Sequence, residues 1–419
     1  MNLRERFLEV MCNFNTEIRS IKWEFGYWGE TIDNWYKQGL PKKNPAVIPS
    51  KFTSPAASLY TKAWTCENKF IHKNGIKGFP GGIAIMAGGL YWPTQGFPLD
   101  SDVKDYFNMD QTQQLVDVNL LFYPMFESRV LEENEKYLKY RDIDGVTRLF
   151  LKETATMPSG WEWPIKDEKS WEKIKKERIN LNDVKERLPK NWDELIKEYK
   201  SRDYPLALGG YPHGFFGTLA HLLGYDRLFY AYFDRPKLIH DMLKTFTELW
   251  MAVYSEVLAD VEIDVVHIWE DISFGKGPIV SPNVIKEFML PYYKRFTSFL
   301  KAKGVNIILV DTDGDCMNII PLFIEGGVTG IYPFEVSCGM DIVKVRKKFP
   351  KLQMLGGIPK SDISLDEKRI DEILEPVEKV LKTGGYIPFG DHFIPPGIQW
   401  NHFKYYRNGL NSIIDKFGK

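Results

Sequence analysis

The residues best placed to do chemistry lie in V-N-I-I-L-V-D-T-D-G-D-C, from Val305 to Cys316. The apolar run from Val305 to Val310, broken only by Asn306, has the character of a strand buried on both faces. Asp311, Asp313 and Asp315 follow at its end. Three carboxylates crowded there lose hydration and repel one another, so the fold must supply a cation, hydrogen-bond donors or a ligand. The plainer alternative is an acidic turn that caps the next helix, because Asp and Gly are ordinary turn residues.

Polar residues close other short apolar segments in the same way. His213 lies in G-G-Y-P-H-G-F-F-G beside Phe215 and Phe216, after a strand expected from Pro205 to Tyr211. Glu270 and Asp271 end Ile263 to Trp269, and Glu335 follows Thr329 to Tyr332. Lys360 follows Leu352 to Leu355, and Asp391 and His392 follow Tyr386 to Phe389. Helical stretches separate these strands. One opens at Asp234-Arg235-Pro236, with Asp expected at the cap, and another at Ser281-Pro282. Strands joined through helices pair in parallel by right-handed crossovers. A doubly wound sheet gathers ligands at one switch point, whereas polar residues at the C-terminal ends of successive strands mark the mouth of a barrel. The expected fold is therefore α/β, a (β/α)8 barrel forming one structural domain. Residues 1–200 hold an N-terminal extension, the first barrel elements and an inserted hairpin, and residues 201–419 hold the main units that carry the site.

The first half is less regular. Trp23 to Pro41 packs three Trp and two Tyr into a segment that suits a lid or pocket wall, with Trp28 a candidate substrate contact. A helix packed on the core by its aromatic face suits it equally. The glycine-rich run between Gly78 and Asp100 has neither the G-x-G-x-x-G spacing nor the G-K-[ST] ending of a phosphate loop. Alternating segments from Glu127 to Lys152 around Asp144-Gly145 predict a hairpin. The charged stretches between Trp161 and Lys200 read as solvated helix faces.

Composition narrows the function classes. A formal net charge of -1 and interspersed Lys, Arg, Asp and Glu argue against nucleic-acid binding. The 27 Phe, 21 Tyr and 12 Trp supply a large core and suit an aromatic-lined pocket. Cys12, Cys66, Cys316 and Cys338 have no CxxC or disulfide-framework spacing, which fits a reducing compartment. Charges interrupt the apolar residues of the first segment, and no run approaches the roughly 20 apolar residues of a membrane span. Neither a signal peptide nor a membrane anchor is expected, and the cytoplasm is the default location.

The segments P-L-A-L-G-G-Y-P-H-G-F-F-G, W-E-D-I-S-F-G-K-G-P-I-V-S-P, D-T-D-G-D and G-D-H-F-I-P-P resemble the uroporphyrinogen decarboxylase superfamily, from about Pro205 to the C-terminus. That resemblance implies a distorted barrel with an N-terminal extension, often a homodimer. The haem-pathway decarboxylase carries an arginine-rich R-Q-A-G-R near its N-terminus, whereas Gly26 to Glu30 here contain no arginine. A polycarboxylate porphyrinogen needs such planar bidentate donors. His392 and Pro396 match that enzyme's G-H-G histidine and the proline after it. The family's corrinoid methyltransferases bind zinc through H-x-C and a later Cys. Asp311 and Asp313 occupy the H-x-C positions and His392 the later one, so the soft ligands are replaced by donors that still suit Zn, Mn or Fe.

This resemblance implies a metal-assisted methyltransferase that moves a methyl group from a small O- or N-methyl donor to a corrinoid carried by a separate protein. Asp311, Asp313 and His392 would be metal ligands and, with Glu335, catalytic residues. Glu270, Asp271, His213, Phe215, Phe216, Lys360 and Trp28 would bind substrate. The competing expectation is a metal-free decarboxylase in which Asp311 or Asp313 works with His392 as acid and base. Asp315 is expected to cap the following helix, Lys360 to pair with Glu335 or Asp311, and Cys316 to be a small buried thiol.

Overall fold

A computed structural model describes residues 1–43, 83–84, 90–91, 100–116, 118–127, 129–151 and 159–418. Cys66, His72 and most of the glycine-rich run lie outside the described residues. The strands that matter for the site are β1 (Gln114–Leu115), β2 (Arg129–Glu133), β3 (Tyr137–Arg141), β4 (Thr147–Leu151), β5 (Ser159–Glu162), β6 (Leu206–Gly209), β7 (Val265–Trp269), β8 (Ile308–Thr312), β9 (Gly330–Pro333), β10 (Gln353–Leu355) and β11 (Tyr386–Ile387). The helices are α1 (Leu3–Cys12), α2 (Gly29–Lys37), α3 (Gly217–Leu223), α4 (Pro236–Asp260), α5 (Leu290–Ala302), α6 (Glu367–Leu381) and α7 (Trp400–Lys416).

Seven strands form one sheet in the order β11-β10-β9-β8-β7-β6-β1, and each pairing is parallel. The sheet curls into a TIM-barrel-like wall. Residues 20–28 lie in the gap between its two edges. On one side Ile394 N donates to Gly26 O at 2.9 Å and Ser20 Oγ to Tyr386 O at 2.7 Å. On the other, Asp110 N donates to Lys22 O at 3.2 Å and Trp23 Nε1 to Gln111 O at 2.9 Å. The aromatic segment therefore closes the barrel. Trp23 and Tyr27 are buried in the wall instead of forming a lid, and only Trp28 reaches the mouth half-buried.

Period-two alternation explains why β8 is both a core strand and a site strand. Ile307 and Leu309 join Ala207, Val265, Tyr332, Leu355 and Ile387 in a cluster that fills the lumen, with Phe7, Val10 and Met11 of α1. Ile308 and Val310 face the outer helices. Asp311 thus inherits the lumen side from Ile307 and Leu309. Burying each of these Leu or Ile side chains contributes about 1.5–3 kcal/mol, enough to hold a strand whose end carries destabilising charge.

The outer layer follows the same logic at helical period. In α6, Ile370, Ile373, Leu374, Val377 and Leu381 make one buried stripe, and the N-cap Asp366 side chain accepts Arg369 N at 2.8 Å. α4 starts at Pro236, but its N-cap is Arg235 and no side chain caps it, because Asp234 closes the preceding helix. The expected hairpin is present as β3 and β4, and β2 and β5 extend it to a four-stranded antiparallel sheet.

A buried charged network fixes the closing segment to the last strand. Glu24, fully buried, accepts from Gly390 N at 2.7 Å and Tyr406 OH at 3.1 Å, while Arg407 Nη1 donates to Trp23 O at 2.6 Å. This sets the loop that carries Asp391 and His392. Among the described residues no helix is long and apolar enough to cross a membrane.

Candidate active site

Five acidic side chains lie at four strand ends of the sheet: Asp271 after β7, Asp311 and Asp313 at β8, Glu335 after β9 and Asp391 after β11. Two of the positions that aim them have unusual backbone. Asp271 and Phe334 take φ of 49° and 61°, a region that non-glycine residues rarely occupy. Gly314 follows Asp313 at φ 71°, where an added Cβ would lie 2.6 Å from the backbone of Phe274. Glycine is required for that close approach.

The hydrogen bonds sort holding from reacting groups. Gly314 N donates to Glu335 Oε2 at 2.9 Å, so Glu335 pins the acidic loop. Asp391 accepts Lys360 N at 3.0 Å and Val336 N at 3.1 Å, tying three strand-end loops together. Lys360 Nζ lies 3.6 Å from Glu335 and 3.8 Å from Asp391, so the expected partner Glu335 is met and Asp311 is not. Tyr332, paired in register with Asp311 on the neighbouring strand, hydrogen-bonds the Asp311 carboxyl. Asp313 remains accessible, with 31% of its side chain exposed, and its Oδ2 lies 3.6 Å from His392 Nε2. Asp315 accepts Met317 N at 3.0 Å and stays outside the cluster, in its expected capping role. Cys316 is buried, and that burial pushes its thiol up to about 12.

Electrostatics follow from this crowding. Burial, then the charges of Asp271, Asp311 and Glu335, hold the Asp313 carboxyl well above the usual carboxylate range, against a partial pull from Lys360. Burial and Asp271 lift Asp311 likewise, although the Tyr332 hydroxyl opposes the shift. Asp271 rises to about 6 through burial, even though Asp313 N–H donates to its carboxylate. His392 moves the other way, down to about 3, because burial and Lys360 both disfavour the imidazolium. Its ring lies 5.0 Å from Phe25 and 5.0 Å from Phe393, with Trp28 behind Phe393. The mouth thus sets carboxyls that hold their protons more tightly than usual, Asp311 and Asp313 above all, beside a neutral imidazole and an aromatic wall.

Four residues expected to bind substrate are placed elsewhere. The Glu270 carboxylate is fully buried and accepts from Phe215 N, Phe216 N, Gly217 N and Tyr293 OH, so it clamps the loop leading into α3. His213 packs its ring against Trp250, Tyr254 and Phe296 in the outer core, and Phe215 packs on Trp250 and Tyr293. Phe216 is buried beside Tyr225. The sequence showed these residues near a strand end but not which side of the wall each side chain takes. It also gave no signal for Tyr332 and Phe25, whose roles arise only from strands remote in the chain.

Carboxylate and imidazole donors suit a hard divalent cation, and the excess of acid over Lys360 suits one too. Among the described residues, however, no three His, Cys, Asp or Glu side chains are grouped as a ligand set. Asp311 is engaged by Tyr332, which leaves Asp313 and His392 as the nearest pair of the three expected ligands.

The family model for uroporphyrinogen decarboxylase (URO-D) matches residues 161–408, more than half of the chain. No curated protein matches the sequence. Similar solved structures include a B12-independent methionine synthase from Shewanella sp. W3-18-1, at 9% identity over 69% of this chain and 74% of that one, with a TM-score of 0.33. The 3-keto-D-glucoside 4-epimerase of E. coli aligns at 13% identity over 56% and 84%, with a TM-score of 0.32. The 3-keto-L-gulonate-6-phosphate decarboxylase of Vibrio cholerae O1 biovar El Tor aligns at 11% identity over 57% and 80%, with a TM-score of 0.25.

Proposed function

The chain belongs to the uroporphyrinogen decarboxylase family, and from that premise we propose that it is an enzyme using Asp313 as a general acid, in a lyase-type reaction such as decarboxylation of a small substrate. The observation that carries this reading is Asp313 itself. It is a part-exposed carboxyl whose proton affinity burial and then the neighbouring carboxylates raise well above the usual range, 3.6 Å from an imidazole kept neutral. A decarboxylation leaves an electron pair on carbon, and the Asp313 proton would fill it. His392 then stands beside the acid as the nearest proton acceptor or donor, and Tyr332 hydrogen-bonds Asp311 next to it. Phe25, Trp28 and Phe393, packed edge to face, supply an apolar aromatic wall that suits an unsaturated or aromatic substrate. The absence of arginine from Gly26 to Glu30 argues against a polycarboxylate porphyrinogen.

A second reading is favoured by the charge balance. Five acidic side chains face one lysine, and a divalent cation would relieve that imbalance as well as protons do. In that case the mouth would act as the metal-assisted methyltransferase outlined above. A zinc or similar ion would polarise a small methyl donor, and a corrinoid on a partner protein would accept the methyl group. A homodimer is compatible with either reading.

One experiment separates the two. Metal content of the purified protein is measured beside CO2 release from a panel of small aromatic and unsaturated carboxylic acids. The acid reading expects turnover without stoichiometric metal, and an Asp313→Asn variant slower by about 10²–10⁴-fold. Stoichiometric metal lost in Asp313→Asn and His392→Ala, with no CO2 release from any acid, would replace it with the second reading.

A further inference from the structure

The inserted sheet reaches the barrel mouth through a buried chain of hydrogen bonds that the Asp313 site does not use. Its β3–β4 turn points Asp144 inward, where Oδ1 accepts Val146 N at 3.0 Å and Oδ2 accepts Arg148 Nη2 at 3.2 Å. Arg148 Nε donates to the neighbouring Asp142 at 2.8 Å, which fixes the turn. Asp144 Oδ2 also contacts His221 Nε2 of α3, and His221 Nδ1 lies 2.9 Å from the hydroxyl of Tyr211. Asp144 is 4% exposed and His221 8%, while Tyr211 is half-buried. Tyr211 stands in the loop after β6, its ring centroid 4.3 Å from that of Trp269 at the end of β7. Two residues further along is Asp271, a member of the acidic cluster.

The proton positions follow from the charges. Burial alone would lift Asp144, but its contacts with His221, Arg148 and Val146 N hold the carboxyl below the usual carboxylate range, so it is ionised and only accepts. Burial keeps His221 neutral, lowering its pKa more than Asp144 raises it. Its single proton must then sit on Nε2, facing Asp144. Nδ1 is left as an acceptor, and the Tyr211 O–H donates to it. This is the order of acid, imidazole and hydroxyl that activates a hydroxyl in hydrolases.

We propose that Tyr211, His221 and Asp144 form a proton relay at the barrel mouth, with Tyr211 as its substrate-facing base and the inserted sheet as the source of its carboxylate. As the phenolic oxygen takes a proton from substrate, its own proton passes to His221 Nδ1. The imidazolium so formed is balanced by ionised Asp144, and the electron pair of the broken bond stays on the substrate as its anion. His221 and Asp144 act through Tyr211 and are positioning residues. The proposal rests on the reading of this mouth as a site of proton transfer: Asp313 gives a proton at the end of β8, and Tyr211, after β6 two strands away in the same sheet, removes one.

The relay is tested by its own reactivity, without a substrate. N-Acetylimidazole transfers its acetyl group to a tyrosine oxygen; the new O–C bond forms as the acyl C–N bond breaks, and the phenolic proton goes to the departing imidazole. Acetylation of Tyr211 in the full chain is followed by peptide mass spectrometry, with Tyr230, which is 72% exposed, as the internal reference. Tyr211 is expected to react about tenfold or more faster than Tyr230 at neutral pH, from general-base assistance. His221→Gln and Asp144→Asn are each expected to lower its rate to that of Tyr230 or below. A purely structural hydrogen bond gives the opposite pattern, with Tyr211 slower than Tyr230 and faster once His221→Gln releases it; that result overturns the relay. Nitrogen-15 NMR of the unmodified protein covers the case in which a variant fails to fold. His221 must carry its proton on Nε2, and a proton on Nδ1 or an imidazolium at neutral pH refutes the assignment. Failure of these tests leaves the Asp313 reading intact, since CO2 release and metal content report on that site separately.

Discussion

The most discriminating stability prediction concerns Asp271→Asn, which should make the metal-free protein more stable. Asn keeps an oxygen able to accept Asp313 N–H, and it tolerates the positive φ of 49° at this position. What it removes is a carboxyl lifted from 3.8 to about 6, chiefly by burial and further by Glu335. The native state therefore holds this proton more tightly than the unfolded chain does. Ionisation begins to cost stability as pH rises above the unfolded value near 4, and the full penalty is present above the folded value near 6. About two pKa units at 1.36 kcal/mol each give a gain of roughly 3 kcal/mol for Asp271→Asn at pH 8. The gain should shrink to about 1 kcal/mol at pH 4.5 and vanish only below about pH 3, where the carboxyl is protonated in both states. Urea unfolding of both proteins with chelator present, at pH 8 and pH 4.5, measures it. A variant less stable than the parent at pH 8, or a gain independent of pH, would refute the crowded-carboxyl account of this site.

Other perturbations test the supporting groups. Glu270→Gln replaces a carboxylate that accepts three backbone amides with a group whose NH2 must face one of those donors. Burial lifts this carboxyl to about 7, so its ionisation costs stability above that pH and the swap is read below it: at pH 5 stability should fall by about 1–3 kcal/mol, measured from urea midpoints, and an unchanged midpoint would mean the clamp is unimportant. Tyr332→Phe removes the hydroxyl that restrains Asp311, so the Asp311 carboxyl should titrate at still higher pH in carbon-13 NMR; a downward move would place the hydroxyl elsewhere. His392→Phe keeps the aromatic stack with Phe25 and Phe393, so thermal stability should change by less than about 1 kcal/mol while any CO2 release falls by about 10²-fold or more. Retained turnover would remove His392 from the reaction.

The barrel was legible in the sequence because its signals are local. A buried strand shows as a short apolar run, a helix start as Ser281-Pro282, and a mouth as polar residues placed after strand upon strand. Asp311 and Asp313 stood out for the same reason, since carboxylates directly after V-N-I-I-L-V cannot avoid the end of a core strand. Alternation from Ile307 and Leu309 even fixes the side of the wall that Asp311 takes. The Asp144-Gly145 turn was equally readable, because turn chemistry is a property of adjacent residues.

Side-chain direction in loops and pairing between remote segments could not be read that way. His213, Phe215 and Phe216 sit next to a strand end in sequence, yet their rings point into the outer core once α4 and α5 pack there. Glu270 and Asp271 are neighbours, but a reversal to positive φ sends one inward to clamp amides and the other to the acidic cluster. Trp23 to Tyr27 look like a lid by composition and become wall because the sheet leaves a gap between β1 and β11. Asp144, His221 and Tyr211 meet only because the inserted sheet folds back against α3. Local chemistry set which residues could react, and long-range packing set which of them meet, because burial and charge crowding depend on neighbours that lie tens to hundreds of residues away.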